Sequence, residues 1–286
     1  MSTSLTYGQA LVHAARGRSL PAAEARLLLQ HVTGSTAAQV IAHPGRPLGP
    51  VDRLRFESLV ERRARGEPIA YLVGWREFFG RRFGVGPDVL IPRPETEGLV
   101  EAALARLPAG EPRSILDLGT GSGCIAITIA LERPGVDVVA VDASGDALAV
   151  ARRNAAALDG RVEFVESDWL SALAGRRFDI IVANPPYIAA GDPHLGQGDL
   201  RFEPRHALTP GVDGLAALVA IVAQSTRALN PGGWLLLEHG HDQAAAVRAA
   251  LELQRYRDVF SDPDLAGIER ISGGRRAPRR RARSAD

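Results

Sequence analysis

The sequence predicts an α/β protein built on an open, doubly wound, mostly parallel sheet of seven strands, preceded by a small helical bundle and a β-hairpin. Three observations carry this expectation. From Leu5 to about Gly66 the apolar residues, such as Ala25, Leu28, Leu29 and Val32, recur at helical spacing with no competing period of two. From Ile69 to Ile91, "IAYLVGWREFFGRRFGVGPDVLI" is aromatic and β-branched with glycine punctuation, the texture of a hairpin. After Pro112, short apolar runs alternate with helical stretches, which implies parallel strands joined by right-handed crossovers.

Taken in order, Gly17, Gly34 and "HPGRPLGP" break the first region into several short helices, with Pro21 suited to a helical first turn. The strands are then "SILDL", "VDVVAVD", "VEFVES", "FDIIVA", "WLLLEHG", "YRDVFSD" and "IERISG". Helices are expected at about 122–132, 144–158, 215–229 and 242–251. The resulting domains are 1–68, a helical unit; 69–91, a hairpin linker; 92–273, the α/β domain; and 274–286, an arginine-rich tail expected to be disordered.

Composition narrows the class. Hydrophobic residues make up 45% and charged ones 23%, enough for an ordinary core. The net charge of +1 exerts no global pull toward nucleic acid. All basic charge is arginine, which reads as coding bias. Cys124 is the only cysteine, which excludes an internal disulfide framework and a multi-cysteine metal site. The first residues lack the apolar core of a signal peptide, so a cytoplasmic location is expected.

The chemistry is carried by strand ends. "ILDLGTGSGCIA" sets Asp117 before Gly119, Thr120, Gly121, Ser122 and Gly123, at the strand edge where doubly wound sheets bind ligands. The dinucleotide fingerprint fails, because Cys124 occupies its last position. An acid ahead of the loop sits awkwardly beside a pyrophosphate and suits a ligand carrying a sulfonium and an ammonium, as S-adenosylmethionine does. Asp142 ends the next strand, placed to accept from ribose hydroxyls or to cap a helix. Asp168 and Trp169 follow the third, where a carboxylate can take an adenine amine and an indole can cover the ring.

The fourth strand delivers Asn184-Pro185-Pro186-Tyr187 to the same edge. The nitrogen of a planar amino group is a poor nucleophile because its lone pair is delocalised, so it must be held and aimed to accept a methyl. Asn184 offers a side-chain carbonyl and Pro185 a main-chain carbonyl to its two hydrogens. The prolines stiffen that backbone before substrate arrives, and Tyr187 can stack on the planar group. No strong base is required. The motif marks methylation of planar amino groups without distinguishing a base from glutamine.

The ordered set "LIPRPETE", "DLGTGSG", "SDW", "NPPYI", "DPHL" with "RFEP", and "LLLEHG" resembles the bacterial peptide chain release factor glutamine methyltransferases, from the N-terminal helices to about Gly273. That resemblance implies a class I S-adenosylmethionine-dependent methyltransferase fold and methylation of the glutamine side-chain amide in the Gly-Gly-Gln loop of class I release factors. It implies that Gly119 to Gly123 line the methionine part of the cofactor, Asp142 the ribose and Trp169 the adenine. Asn184 to Tyr187 would hold the glutamine, with Asn184 also near the cofactor. Arg93, Glu95 and Thr96 would cap the cleft, and His239 would help to shape it rather than act as a base. Rival expectations are a glutamine methyltransferase for a large-subunit ribosomal protein, a DNA or RNA base methyltransferase, and a non-catalytic module gripping translation factors. The expected chain is a monomer without stable nucleic-acid or membrane partners.

Overall fold

The computed structural model describes residues 5–108, 110–111 and 113–277. The chain divides into two compact units, one running up to Trp75 and including Gln197–Phe202, the other made of Arg76–Gly196 and Glu203 onward.

The first unit is helical: α1 (Tyr7–Arg18), α2 (Ala22–Thr33), α3 (Ala37–Ala42), α4 (Pro50–Ala64) and α5 (Ile69–Val73). Sequence signals set the ends. Thr6 with Gln9 and Thr36 with Gln39 form capping boxes, while α2 stops at Gly34 in the left-handed region. The apolar stripes meet in a core that includes Tyr7, Leu28, Leu29, Phe56 and Val60, and each fully buried leucine contributes about 1.5–3 kcal/mol. Arg63 grips both Glu24 oxygens at 2.6 and 3.0 Å and reaches Asp199 of the same unit at 3.0 Å.

The hairpin is shorter than expected. "IAYLV" is helical, because Pro68 starts the turn, Gly74 ends it at φ +81°, and Ala70, Leu72 and Val73 are buried on it. Only β1 (Trp75–Phe78) and β2 (Arg81–Gly84) pair. Their two linking residues, Phe79 at φ +51° and Gly80 at +71°, have the signs of a type I′ turn. The Phe79 amide donates to Glu97 Oε1 at 2.8 Å, which ties this turn to the following segment.

The second unit continues with α6 (Glu97–Leu104), β3 (Ser114–Leu118), α7 (Cys124–Glu132), β4 (Asp137–Asp142), α8 (Gly145–Leu158), β5 (Glu163–Glu166) and β6 (Phe178–Ala183). It closes with α9 (Arg205–Leu208), α10 (Ala216–Ala228), β7 (Leu229–Glu238), α11 (Ala244–Leu253), β8 (Arg257–Pro263) and β9 (Glu269–Arg275). The seven-stranded sheet has the order β5-β4-β3-β6-β7-β9-β8, parallel through β7, with β9 antiparallel to both neighbours. Strand residues alternate between two cores. Ile115, Ile180 and Val182 pack with α6 and α7, whereas Leu116, Leu118, Ile181 and Ala183 pack with α10 and α11. The order reverses between β3 and β6, which opens a crevice at their carboxyl ends. Strand β9 runs through Gly274 and Arg275, two residues into the expected tail; the tail from 278 lies outside the described residues.

Asn154 of α8 joins hairpin to sheet. It accepts from Gly84 N at 2.7 Å and donates to Gly84 O at 3.0 Å and Ser122 O at 2.8 Å. It is 5% exposed, so Asn154→Ala leaves buried partners unpaired. The expected loss is about 2–4 kcal/mol, read as a lower urea midpoint with unchanged slope.

Candidate active site

Strand β3 hands the chain to a loop that is tied before any ligand arrives. Gly119 N and Thr120 N both donate to Val141 O at 2.9 Å, and Gly121 N donates to Asp142 Oδ2 at 2.9 Å. Gly119, Gly121 and Gly123 all have positive φ, +73°, +54° and +81°, a conformation costly for other residues. At Gly123 a Cβ would also lie 2.7 Å from Ile127 Cδ1 and 3.2 Å from Ala151 Cβ. The loop must therefore pass close to α7 and α8, and only glycine permits it. Thr120 Oγ1 donates to Asp117 Oδ2 at 2.6 Å. Burial pushes the Asp117 carboxyl up to about 7, the Thr120 bond opposing and Asp142 adding to the shift.

Asp142 takes two backbone amides, Gly121 N on Oδ2 and Ser144 N on Oδ1, each at 2.9 Å. Ser144 itself caps α8. A carboxylate has about four lone-pair positions, so Asp142 orders the loop and keeps acceptor capacity for a ligand. After β5, Ser167 Oγ donates to Trp169 O at 2.8 Å and holds a turn in which Trp169 adopts φ +47°. The indole reaches over the loop, with Cζ3 3.5 Å from where a Gly119 Cβ would stand.

Strand β6 ends at Ala183, and Asn184 Nδ2 donates to Thr96 Oγ1 at 3.0 Å. Thr96 is 2% exposed and closes a 3₁₀ turn, Pro94–Thr96, begun by Pro94. Beyond the prolines the chain is clamped: Gln243 Nε2 donates to Tyr187 O at 2.9 Å and Ile188 N to Leu208 O at 3.0 Å. The Tyr187 phenol donates to Glu238 Oε1 at 3.4 Å, and burial with the adjacent Glu238 pushes its ionisation well up. Burial likewise raises Glu238 to about 7. Glu203 anchors the wall of the cleft. Its side chain is fully buried, pairs with Arg93 and accepts from Ile91 N at 2.9 Å.

One cavity is lined by Gly119, Thr120, Gly121, Ser122, Asp142, Asp168, Trp169, Asn184 and Pro186, together with Arg93 and Thr96. Asp117, Gly123, Pro185 and Tyr187 do not line it; Asp117 lies beneath the loop and Tyr187 turns to Glu238. Glu95 is exposed away from it. His239 is fully buried between Ser272 Oγ, 2.8 Å from Nε2, and Gly240 O, 2.9 Å from Nδ1. It lines no part of the cleft, and burial lowers its basicity. Sequence reading missed Asp88, Val89, Ala143, Ala147 and His206. The first two follow a hairpin and His206 sits on a four-residue helix, where no periodicity signals a site.

The family described as "PrmC N-terminal domain" matches residues 5–74, and "Methyltransferase small domain" matches residues 99–198. A release factor glutamine methyltransferase from Burkholderia pseudomallei is 54% identical over 267 residues, covering 91% of this chain and 94% of that protein. The chain belongs to the release factor glutamine methyltransferase family. The family member from Escherichia coli is 49% identical over 256 residues, 89% of this chain and 92% of its own. Among solved structures, a methyltransferase from Pyrococcus furiosus shares the fold, with TM-score 0.53 and 19% identity over 76% of this chain and 97% of that chain. The fold is thus that of the class I S-adenosylmethionine-dependent methyltransferases. No helix among the described residues is long and apolar enough to cross a membrane.

Arg93→Ala would strand the buried Glu203 carboxylate with only the Ile91 amide. The expected cost is roughly 3 kcal/mol, read from chemical denaturation, and Glu203→Gln in the same background should recover part of it.

Proposed function

We propose that this enzyme transfers a methyl group from S-adenosylmethionine to the side-chain amide nitrogen of the glutamine in the Gly-Gly-Gln motif of class I release factors, and so tunes translation termination. The observation that carries the reading is the joint placement of the cofactor-type glycine loop and Asn184 on one cavity at the β3/β6 switch point. Support for glutamine over a nucleobase comes from the relatives, named release factor glutamine methyltransferases.

The cavity's chemistry fits the cofactor, which supplies an electrophilic methyl on a sulfonium centre. Gly119 to Gly123 present backbone where a side chain would intrude, and Asp142 keeps acceptor positions for ribose hydroxyls. Trp169 covers an adenine ring, and Asp168 accepts its amine. Asp117, ionised above about pH 7, favours a positively charged ligand through the loop it supports. Pro186 borders the same space. Asn184 Oδ1 takes no hydrogen bond from the described residues, so it is available to one amide hydrogen of glutamine. Pro185 and Tyr187 line no part of the cavity itself, so the substrate amide is proposed to meet them beyond its rim, the Pro185 carbonyl at the other hydrogen and the Tyr187 ring against the plane. Held this way, the nitrogen faces the methyl; the carbon–sulfur bond breaks as carbon–nitrogen forms, and the nitrogen's proton leaves to water or to a neighbouring carbonyl. Residues 1–68 are proposed to recognise the rest of the factor, whose remote contacts stabilise the oriented amide. We infer a cytoplasmic monomer.

The decisive experiment supplies labelled cofactor with purified release factor, its Gln-to-Ala loop variant, a large-subunit ribosomal protein or duplex DNA. Label is expected in the release factor alone and absent from the loop variant; label in another acceptor would replace the assignment. Asn184→Ala should lower kcat at least about 100-fold with cofactor affinity within a few-fold. A pH series tests Asp117. Since its raised ionisation leaves it neutral below about 7, cofactor affinity should weaken as pH falls through that value, and Asp117→Asn should flatten the dependence in calorimetry.

A further inference from the structure

Behind the Asn-Pro-Pro-Tyr segment lies a buried carboxylate that the proposed reaction does not use. Glu238, the last residue of β7, is 2% exposed and lines no part of the cavity. Its Oε1 receives the Tyr187 phenol at 3.4 Å, and the Thr96 hydroxyl is near enough to favour the charged form. Its Oε2 accepts no hydrogen bond of ordinary length from the described residues. A buried polar atom without a partner calls for an explanation other than stability.

Thr96 links this carboxylate to the site, because its Oγ1 also receives Asn184 Nδ2 at 3.0 Å. A hydroxyl has one proton to give and two lone pairs. An ionised Glu238 can only accept, so it draws the Thr96 proton toward itself and turns a lone pair to Asn184. The Asn184 amide must then present its NH2 to Thr96 and its carbonyl oxygen to the cavity. With a neutral partner at 238, Thr96 is free to point its proton at Asn184, and the amide can reverse. A reversed Asn184 would offer a donor to an incoming amide that itself needs an acceptor.

We propose that Glu238 is a positioning residue that, through Thr96 and Tyr187, fixes which end of the Asn184 amide faces the substrate. The proposal rests on the reading of Asn184 as acceptor for the target amide. It gives the enzyme a preference for acceptors that bring NH2 and ties that preference to the charge at one buried site. Tyr187, Thr96 and Glu95 from the active-site segments, and Arg270 of β9, are the groups that act on that charge; Glu95 opposes it and Arg270 favours it. Arg93 acts on the phenol partner. Since burial dominates and raises Glu238 to about 7, the charged form is lost as pH falls through that range.

The test uses the full chain with Glu238→Gln, assayed for methyl transfer to release factor at saturating cofactor across pH 5.5–9. The glutamine keeps the shape and removes the charge. Turnover should fall roughly 10- to 100-fold, while the KM for the factor and the cofactor Kd stay within about threefold. The wild-type kcat should drop below about pH 7, and this inflection should vanish in Glu238→Gln. Thr96→Val should show the same kcat loss and Thr96→Ser should recover most of it. A melting curve confirms that each variant is folded; if Glu238→Gln does not fold, the Thr96 pair alone decides, and equal turnover of Val and Ser overturns the proposal. It is overturned equally if Glu238→Gln turns over within twofold of wild type or keeps the low-pH inflection. An inactive Asn184→Ala beside a normal Glu238→Gln sinks this proposal alone, whereas an active Asn184→Ala sinks the clamp reading and this proposal with it.

Discussion

Parallel pairing of β3 with β6 is the constraint on which the site depends. The register sets Asp117 opposite Val182 and Leu118 opposite Ala183, so the glycine loop and Asn184 leave the sheet at the same level. The crossovers from these two strands depart to opposite sides, since α7 packs in one core and α10 in the other. A cleft must open between them. A slip of one residue in this pair would turn the apolar alternation inside out, so the two cores that stabilise the sheet also hold the reacting groups in register.

Around that pair, segments distant in sequence are tied to one another by single polar contacts. Glu97 holds the hairpin turn through the Phe79 amide, and the next residue back, Thr96, receives Asn184. Glu203 anchors Arg93 and the Ile91 amide, and Asn154 bonds both the hairpin and the glycine loop. The wall of the cleft is thus built from the segment after the hairpin, held at both ends. The Glu203–Ile91 and Asn154–Ser122 ties are buried and the others partly so, and an unmade hydrogen bond away from water is expensive, which is why few contacts suffice.

The site also concentrates features that a stability argument alone would remove. Asp117 and Glu238 are acids carried into apolar surroundings, each raised to about 7 by burial. Trp169 holds a left-handed backbone, costly for an aromatic residue. Such departures from local preference gather where a fold performs chemistry. Here Trp169 lines the cavity and the two acids stand behind it, Asp117 bonded to Thr120 of the loop and Glu238 to Tyr187, while His239, expected to help shape the cleft, is locked between Ser272 and Gly240 as ordinary structure.

Much of this was legible in the sequence, because strand–helix alternation and strand-end motifs are local signals. The seven strands, the helical unit and the residues of the glycine loop, Asp142, Asp168, Trp169 and Asn184 could be named from spacing and residue chemistry. The error at "IAYLV" came from composition: β-branched and aromatic residues suggested a strand, but Pro68 and Gly74 bounded a helical turn whose apolar face was needed in the first core. Tertiary structure alone decided that Tyr187 turns to Glu238 rather than into the cavity, that Asn184 bonds Thr96, and that Asp88 and His206 line the cleft. The physical reason is range. Periodicity and turn chemistry act over a few residues, whereas a hydrogen bond from Asn184 to Thr96 spans 88 positions and exists only once packing has brought the strand ends together.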